Sequence, residues 1–157
     1  GFNQVEALAA GREQAVSVYT ANEPVQLQAQ GYALNEMRVA DYVQLASNGL
    51  ITNETTLAQN PDLVRGMAEA FLKGLRDTIA NPDEAYEISK KYVDNLSQAD
   101  ETVQKQVLAR SIELWKAERL GYSNADAWTN MNDLLVKMGL LPAPLDVSKA
   151  FTNDFVP

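Results

Sequence analysis

A group of polar side chains suited to binding a small flat molecule lies between positions 19 and 23 of this 157-residue chain. Tyr19 offers an aromatic face and a hydroxyl, and Thr20 offers a second hydroxyl. Asn22 supplies an amide, and Glu23 supplies a carboxylate that accepts strong, paired hydrogen bonds. Ring stacking with a few oriented hydrogen bonds is sufficient to bind a small molecule and requires no nucleophile.

Each of these side chains also has a purely structural interpretation. A glutamate in a first helical turn complements the helix dipole, and an asparagine just before a helix caps it. Tyr19 fits equally well as a half-buried residue at the end of a strand. The residues alone leave both interpretations of Tyr19, Asn22 and Glu23 open.

The elements on either side predict where these residues lie. Ala15, Val16 and Val18 form an apolar run typical of a strand buried on both faces, as in a mostly parallel sheet. Pro24 stands where the first turn of a helix tolerates a missing N–H. Because ligands bind at the carboxyl ends of strands in open α/β sheets, we expect a binding site at residues 19–23.

Composition excludes several classes of function. Thirteen Lys and Arg against 21 Asp and Glu give a net charge of −8, which argues against nucleic acid or an anionic membrane as a partner. The sequence contains neither cysteine nor histidine, which excludes thiolate chemistry, zinc fingers, iron–sulfur clusters and a Ser-His-Asp triad. We therefore expect no catalytic residue, no metal site and no cofactor.

The remaining pattern predicts two short strands followed by helices. The strands are expected at about 37–40 and 50–52, and an amphipathic helix of about 20 residues is expected after Asn60-Pro61. Further helices are predicted to begin near Asn81-Pro82, Asp100 and Asn124. Trp115 and Trp128 lie at helical spacing on apolar faces and are expected to pack in the core, whereas Phe151 and Phe155 are expected to dock the carboxyl-terminal tail.

Six segments of the chain together resemble one family. They are residues 11–24, 47–52, 60–64, 71–75, 81–85 and 150–155. In their order and spacing these segments resemble the solute-binding proteins of ABC importers that are related to thiamine-pyrimidine precursor synthases and binders. Each segment alone is a weak signal, because Asn-Pro before a helix is ordinary capping chemistry.

The resemblance implies an α/β chain that forms part of a two-lobed periplasmic-binding-protein (type II) fold, helix-rich after residue 60. Residues 1–46 would belong to the second lobe, and residues 47–157 to the return crossing and the helical part of the first lobe. The amino-terminal half, with its export signal, would be absent from this chain. Ser47, Asn48 and Gly49 would then lie at the hinge.

The resemblance also implies a function. The chain would be part of an extracytoplasmic receptor, periplasmic or lipid-anchored, that delivers a small heterocycle such as a thiamine pyrimidine precursor to a membrane permease and its ATPase. Glu23 would face the amino edge of the pyrimidine, with Tyr19, Asn22 and Thr20 beside it. Alternatives are a synthase-like enzyme of the same family and a receptor for flavin or sulfonate. The enzymes use histidine and cysteine, which are absent here, and Glu23 would repel a sulfonate.

A half-receptor has a physical consequence. Strand edges and apolar helix faces that the other half covers would be exposed, and such surfaces associate. We therefore expect the isolated chain to self-associate.

Overall fold

The structure is a computed structural model that describes residues 3–157. Three short 3₁₀ turns, at Val39–Asp41, Leu96–Gln98 and Val147–Lys149, accompany the α-helices of this range. The α-helices are α1 (Gln4–Ala9), α2 (Glu23–Ala29), α3 (Glu54–Gln59), α4 (Pro61–Ala80), α5 (Pro82–Ser89), α6 (Glu101–Trp115) and α7 (Ala125–Lys137).

Local capping explains where most of these helices begin. Asn81, Asp100 and Asn124 each accept a hydrogen bond from a backbone N–H in the first turn that follows, which confirms the predicted helix starts. The 20-residue length of α4 agrees with its apolar periodicity. Helix α3 was not predicted. It has the same capping signal, since the Asn53 side chain accepts from the Thr56 N–H at 2.8 Å.

The predicted β-strands are absent from the part of the chain that the structure describes. Residues 15–19 and 50–52 have no regular secondary structure, and residues 39–41 form a 3₁₀ turn in which the Tyr42 N–H donates to the Val39 carbonyl at 3.0 Å. An apolar, β-branched run specifies a side-chain pattern, but a strand also requires a neighbouring strand to complete its hydrogen bonds. Within residues 3–157 no such neighbour is paired with these segments, so the α/β prediction is wrong for this range.

The described chain divides into two units, and residues 3–37 with 75–118 make up the first. In this unit α2 packs against α1 and α6, and α5 packs against α6. The core is buried where these helices meet, and its hydrophobic members are Ala21, Val25, Leu27, Tyr86 and Ile112. The candidate residues 19–23 therefore lie at the start of a helix that is packed on two sides.

Residues 38–74 and 119–157 make up the second unit. Its buried side chains include Leu72, Ala127 and Asn132, and the Asn132 amide oxygen accepts from the Leu145 N–H at 3.0 Å. This bond fixes the chain just after the Pro-rich link that follows α7. The predicted division into residues 1–46 and 47–157 concerns a whole two-lobed protein and stays a prediction.

Aromatic contacts hold the carboxyl-terminal tail within the second unit, as predicted. The ring of Phe151 stacks on Trp128 with 5.6 Å between centroids, and the Trp128 indole N–H donates to the Ser123 hydroxyl at 2.8 Å. The Arg65 guanidinium lies 5.3 Å from the centre of the Phe155 ring. The tail is therefore packed and not free.

Two apolar features lie at the surface. Trp115, the last residue of α6, is 38% exposed, so the prediction that it packs in the core is wrong. On α4, Leu63, Met67 and Phe71 follow one another at four-residue steps and are all exposed. That a missing half of the receptor covers this row stays a prediction. Self-association of the chain stays a prediction.

Exposed ion pairs join α5 to α6. The Lys90 ammonium lies 2.7 Å from a Glu87 oxygen and 2.8 Å from a Glu101 oxygen. The Lys105 ammonium lies 3.0 Å from Asp83 and 3.1 Å from Glu101. Glu101 is thus shared between two lysines at the junction of the two helices.

We expect this junction to weaken in acid. Hydrogen bonds from Lys90 and Lys105 hold the pKa of the Glu101 carboxyl below its usual value of 4.5. A depressed pKa contributes stability that is present above pH 4.5 and is lost as the pH falls through the lowered pKa. By urea unfolding, wild type should have a higher free energy of unfolding than Glu101→Gln (E101Q) at neutral pH, and this difference should shrink as the pH falls toward about 3. Glu69→Gln, an exposed change on α4, is the control, and a pH-independent difference for E101Q would contradict the expectation.

Candidate ligand-binding site

The candidate site is a tight turn that leads into α2. The Asn22 N–H donates to the Tyr19 carbonyl at 2.9 Å, which closes the turn. The Tyr19 N–H in turn donates to the Glu23 carboxylate oxygen Oε2 at 3.0 Å. Both backbone groups of Tyr19 are therefore tied to the start of α2, and the turn has one defined conformation.

Glu23 is the most deeply placed member of this turn, with 7% of its surface exposed. It is the first residue of α2, where backbone N–H groups favour a negative charge. Its neighbours Pro24 and Val25 are buried as well. A carboxylate has about four acceptor positions, so the bond from Tyr19 leaves Glu23 able to accept hydrogen bonds from a ligand.

Asn22 occupies the N-cap position of α2 but does not cap it with its side chain. The amide oxygen accepts instead from the Gln26 side chain at 2.8 Å. A cap residue typically has an extended backbone, from which its side chain reaches the N–H of the second or third helical residue. The ψ of −83° at Asn22 is not extended, so the amide oxygen does not reach the Val25 N–H. Before α5, by contrast, the Asn81 side chain accepts from the N–H of Glu84, the third helical residue. The predicted capping bond of Asn22 is therefore wrong.

Gln26 is a member of the site that the sequence prediction missed. It lies four residues after Asn22, a spacing that places two side chains on the same side of a helix, and this spacing was the available signal. By donating to the Asn22 oxygen it fixes the amide and leaves the Asn22 NH₂ group as a donor.

The Tyr19 ring is the exposed part of the turn. It is 57% exposed and does not belong to a strand, whereas Thr20 is partly buried within the turn. An exposed aromatic residue, a buried carboxylate and an oriented amide in one turn are groups of the kind that a flat heterocycle requires. Their proximity follows from the turn, and their contact with a ligand stays a prediction.

Ser47, Asn48 and Gly49 belong to the second unit, in an exposed segment without regular secondary structure. A side chain added at Gly49 would meet no heavy atom within 4 Å, and its backbone is not in the left-handed region. No local feature therefore requires glycine at this position. The hinge role of these three residues stays a prediction.

The described residues contain neither a metal-binding cluster nor a membrane span. In residues 3–157, no three acidic, histidine or cysteine side chains are grouped so as to hold a metal ion. Nor does any helix of that range combine the length and apolar character needed to cross a bilayer.

Comparison with known proteins places the turn within a recognised sequence family. Residues 1–85, which include the candidate site, match the family described as NMT1/THI5 like. The whole chain is also 42% identical, over 162 aligned positions, to the riboflavin-binding protein RibY of Chloroflexus aurantiacus. The chain spans 46% of the length of that protein.

Proposed function

Because this chain belongs to the NMT1/THI5-like family, we propose that it is part of an extracytoplasmic solute-binding protein that delivers a flavin to an ABC importer. The family has a periplasmic-binding-protein fold. In such a receptor a ligand is held by a few oriented groups and released unchanged to the membrane permease, whose ATPase drives transport. The turn at residues 19–23 is the proposed contact with the ligand.

One observation carries the choice of a flavin. The similarity to the riboflavin-binding relative extends over the whole chain, including the candidate turn. This favours a flavin over the thiamine pyrimidine that the resemblance first suggested. Both ligands are flat heterocycles, so the general prediction is kept and the ligand changes.

The geometry of the turn fits a flavin in two ways. The exposed Tyr19 ring offers a face on which the three-ring isoalloxazine can stack. The polar edge of that ring system alternates acceptor, donor and acceptor, and the Asn22 NH₂ group, held by Gln26, can donate to one of its carbonyl oxygens. The Glu23 carboxylate suits the hydroxyl groups of the ribityl chain better than this edge, because it only accepts.

The second candidate ligand is an aminopyrimidine, and Glu23 is the observation that favours it. A buried carboxylate at a helix start can accept from the exocyclic amino group and from a protonated ring nitrogen together. A synthase-like enzyme stays an alternative function, since the family includes synthases. A binding role requires none of the nucleophiles or bases that such chemistry uses.

Riboflavin fluorescence gives the direct test. Riboflavin titrated with the protein at its natural length should be quenched, and Tyr19→Ala should weaken binding by about tenfold or more, because one stacked ring contributes about 1–3 kcal/mol. Tyr19→Phe keeps the ring and should bind within about threefold of wild type. Since Tyr19 is exposed, neither change should alter the melting temperature appreciably.

The alternatives give different results. Heat of binding with 4-amino-2-methyl-5-hydroxymethylpyrimidine, without quenching of riboflavin fluorescence, would establish the second ligand. Glu23→Gln should then weaken binding of the pyrimidine, because the substitution removes the negative charge. In that variant the amide oxygen still accepts from the Tyr19 N–H, so the turn is kept. Binding of neither compound would contradict the proposed function.

A further inference from the structure

An asparagine followed by a glycine lies in an exposed segment of the second unit. In the sequence, Asn48 is the only asparagine with a glycine directly after it. Residues 47–50 are exposed and have no regular secondary structure. Among the described residues, none forms a hydrogen bond with the Asn48 side chain or with the Gly49 N–H. Neither the amide nor the backbone nitrogen beside it is therefore held in place by a bond.

This combination suits a reaction of asparagine with its own backbone. Asparagine is one of the chemically labile side chains, because the nitrogen of the next residue can attack its side-chain carbon Cγ. The attack requires a backbone that no helix or strand fixes and a nitrogen that is not shielded. A Cβ on the next residue shields that nitrogen, and glycine has none. Asn48 and Gly49 meet both requirements.

We propose that Asn48 is a site of spontaneous deamidation through a cyclic succinimide formed with Gly49. The Gly49 nitrogen bonds to Cγ of Asn48 while its proton passes to the departing amide, and the Cγ–Nδ2 bond breaks to release ammonia. Water then adds to one of the two ring carbonyls and opens the ring. Opening at one carbonyl gives aspartate, and opening at the other gives isoaspartate, in which the main chain runs through the former side chain.

Either product changes this exposed segment permanently. Both products carry a carboxylate where the amide stood, so the net charge changes from −8 to −9. Isoaspartate also lengthens the main chain by one carbon atom. The segment is the one that the sequence predicts as a hinge, and the proposal depends neither on that role nor on the ligand. The modified fraction increases with the age of the protein.

Two nearby asparagines do not meet the requirements. The Asn53 side-chain oxygen accepts from the Thr56 N–H at 2.8 Å as the cap of α3, and the residue after Asn53 is a glutamate. Asn60 is followed by Pro61, whose nitrogen carries no proton and is already bonded to three carbons. Asn53 and Asn60 are therefore internal controls for Asn48.

Peptide mapping of the complete protein tests the proposal. Trypsin cleaves after Arg38 and Arg65 and releases residues 39–65, which contain all three asparagines and no other basic residue. The protein is incubated at mildly alkaline pH, where the backbone nitrogen loses its proton more readily, and the peptide is sequenced by mass spectrometry. A sample digested before incubation corrects for conversion during digestion. We expect aspartate and isoaspartate at Asn48, and unchanged asparagine at Asn53 and Asn60.

Gly49→Ala is the matched variant. Its Cβ meets no heavy atom within 4 Å and the backbone there is not left-handed, so the segment keeps its conformation. Most of the conversion at Asn48 should be lost, because the methyl group shields the nitrogen. Incubation is continued until a synthetic peptide of residues 45–52 has converted. The proposal is overturned if Asn48 in the protein is then still intact, or if Gly49→Ala converts as fast as wild type.

Discussion

Replacing Leu27 by alanine is expected to lower the free energy of unfolding of the first unit by about 2–5 kcal/mol. Leu27 is 2% exposed and is the largest fully buried side chain among the described residues. It lies on α2, which packs against α1 and α6, so the shortened side chain leaves a cavity where three helices meet. Its carbonyl also accepts from the Tyr32 N–H at 3.0 Å, which ties the end of the helix to the chain that follows.

The same change should weaken ligand binding, although Leu27 lies outside the turn. Helix α2 begins with Glu23, and the turn is held through the bond between that carboxylate and the Tyr19 N–H. Urea unfolding and riboflavin titration of Leu27→Ala should therefore change together. Gln28→Ala, an exposed change on the same helix, should stay within about 0.5 kcal/mol of wild type. An equally small effect for Leu27→Ala would contradict the packing described for α2.

Local sequence signals predicted the helices well. The cap side chains of Asn81, Asp100 and Asn124 act within a single helical turn, so a short stretch of sequence contains all the necessary information. The length of α4 likewise follows from one apolar pattern that repeats along the helix. Where the interacting groups are close in sequence, the prediction and the structure agree.

The predictions that failed depend on groups that are far apart in the sequence, or on a side chain that competes for the expected hydrogen bond. A strand at residues 15–19 depends on a partner strand, and the apolar pattern of the segment says nothing about which partner is present. The side-chain cap at Asn22 fails because the backbone there is not extended and the amide oxygen accepts from the Gln26 side chain instead. The second effect was open to prediction in part, because the competing Gln26 side chain lies four residues after Asn22.

The face that α5 buries was also misjudged. The spacing of Ala85, Ile88 and Tyr92 in the sequence favours an apolar side that contains Ile88. Ile88 is 47% exposed, whereas the structure buries Tyr86. Helix α5 is eight residues long, so its periodic pattern is too short to settle which face is inside. The contact with α6 decides which side is buried.

The structural and functional interpretations of Glu23 are compatible. One oxygen of its carboxylate holds the turn by accepting from Tyr19, and the acceptor positions that remain can serve a ligand. A residue with both roles should respond differently to two substitutions. Glu23→Gln keeps an oxygen for the turn and changes only the charge, whereas Glu23→Ala also leaves a backbone N–H without its acceptor. Separate effects on folding and on binding would distinguish the two roles.

In the second unit, replacing Gly121 by alanine is expected to lower the free energy of unfolding by about 2–4 kcal/mol. Gly121 has a φ of +83°, which costs a non-glycine residue about 1–2 kcal/mol. The added Cβ would also lie 2.6 Å from the Cδ2 atom of Leu72, a side chain that is 4% exposed and has little room to move. Gly139→Ala is the matched control, because that glycine has a φ of +73° but an added Cβ meets no heavy atom within 4 Å.

Urea unfolding of the two glycine variants separates the backbone cost from the steric cost. Gly139→Ala should show the backbone cost alone, and the excess in Gly121→Ala measures the collision with Leu72. In a Leu72→Ala background that excess should largely disappear, since the colliding methyl groups are gone and the two sites are then no longer coupled. Because Leu72 belongs to α4, the result also tests whether the chain at Gly121 packs against that helix. Equal effects of the two glycine changes in the wild-type background would show that it does not.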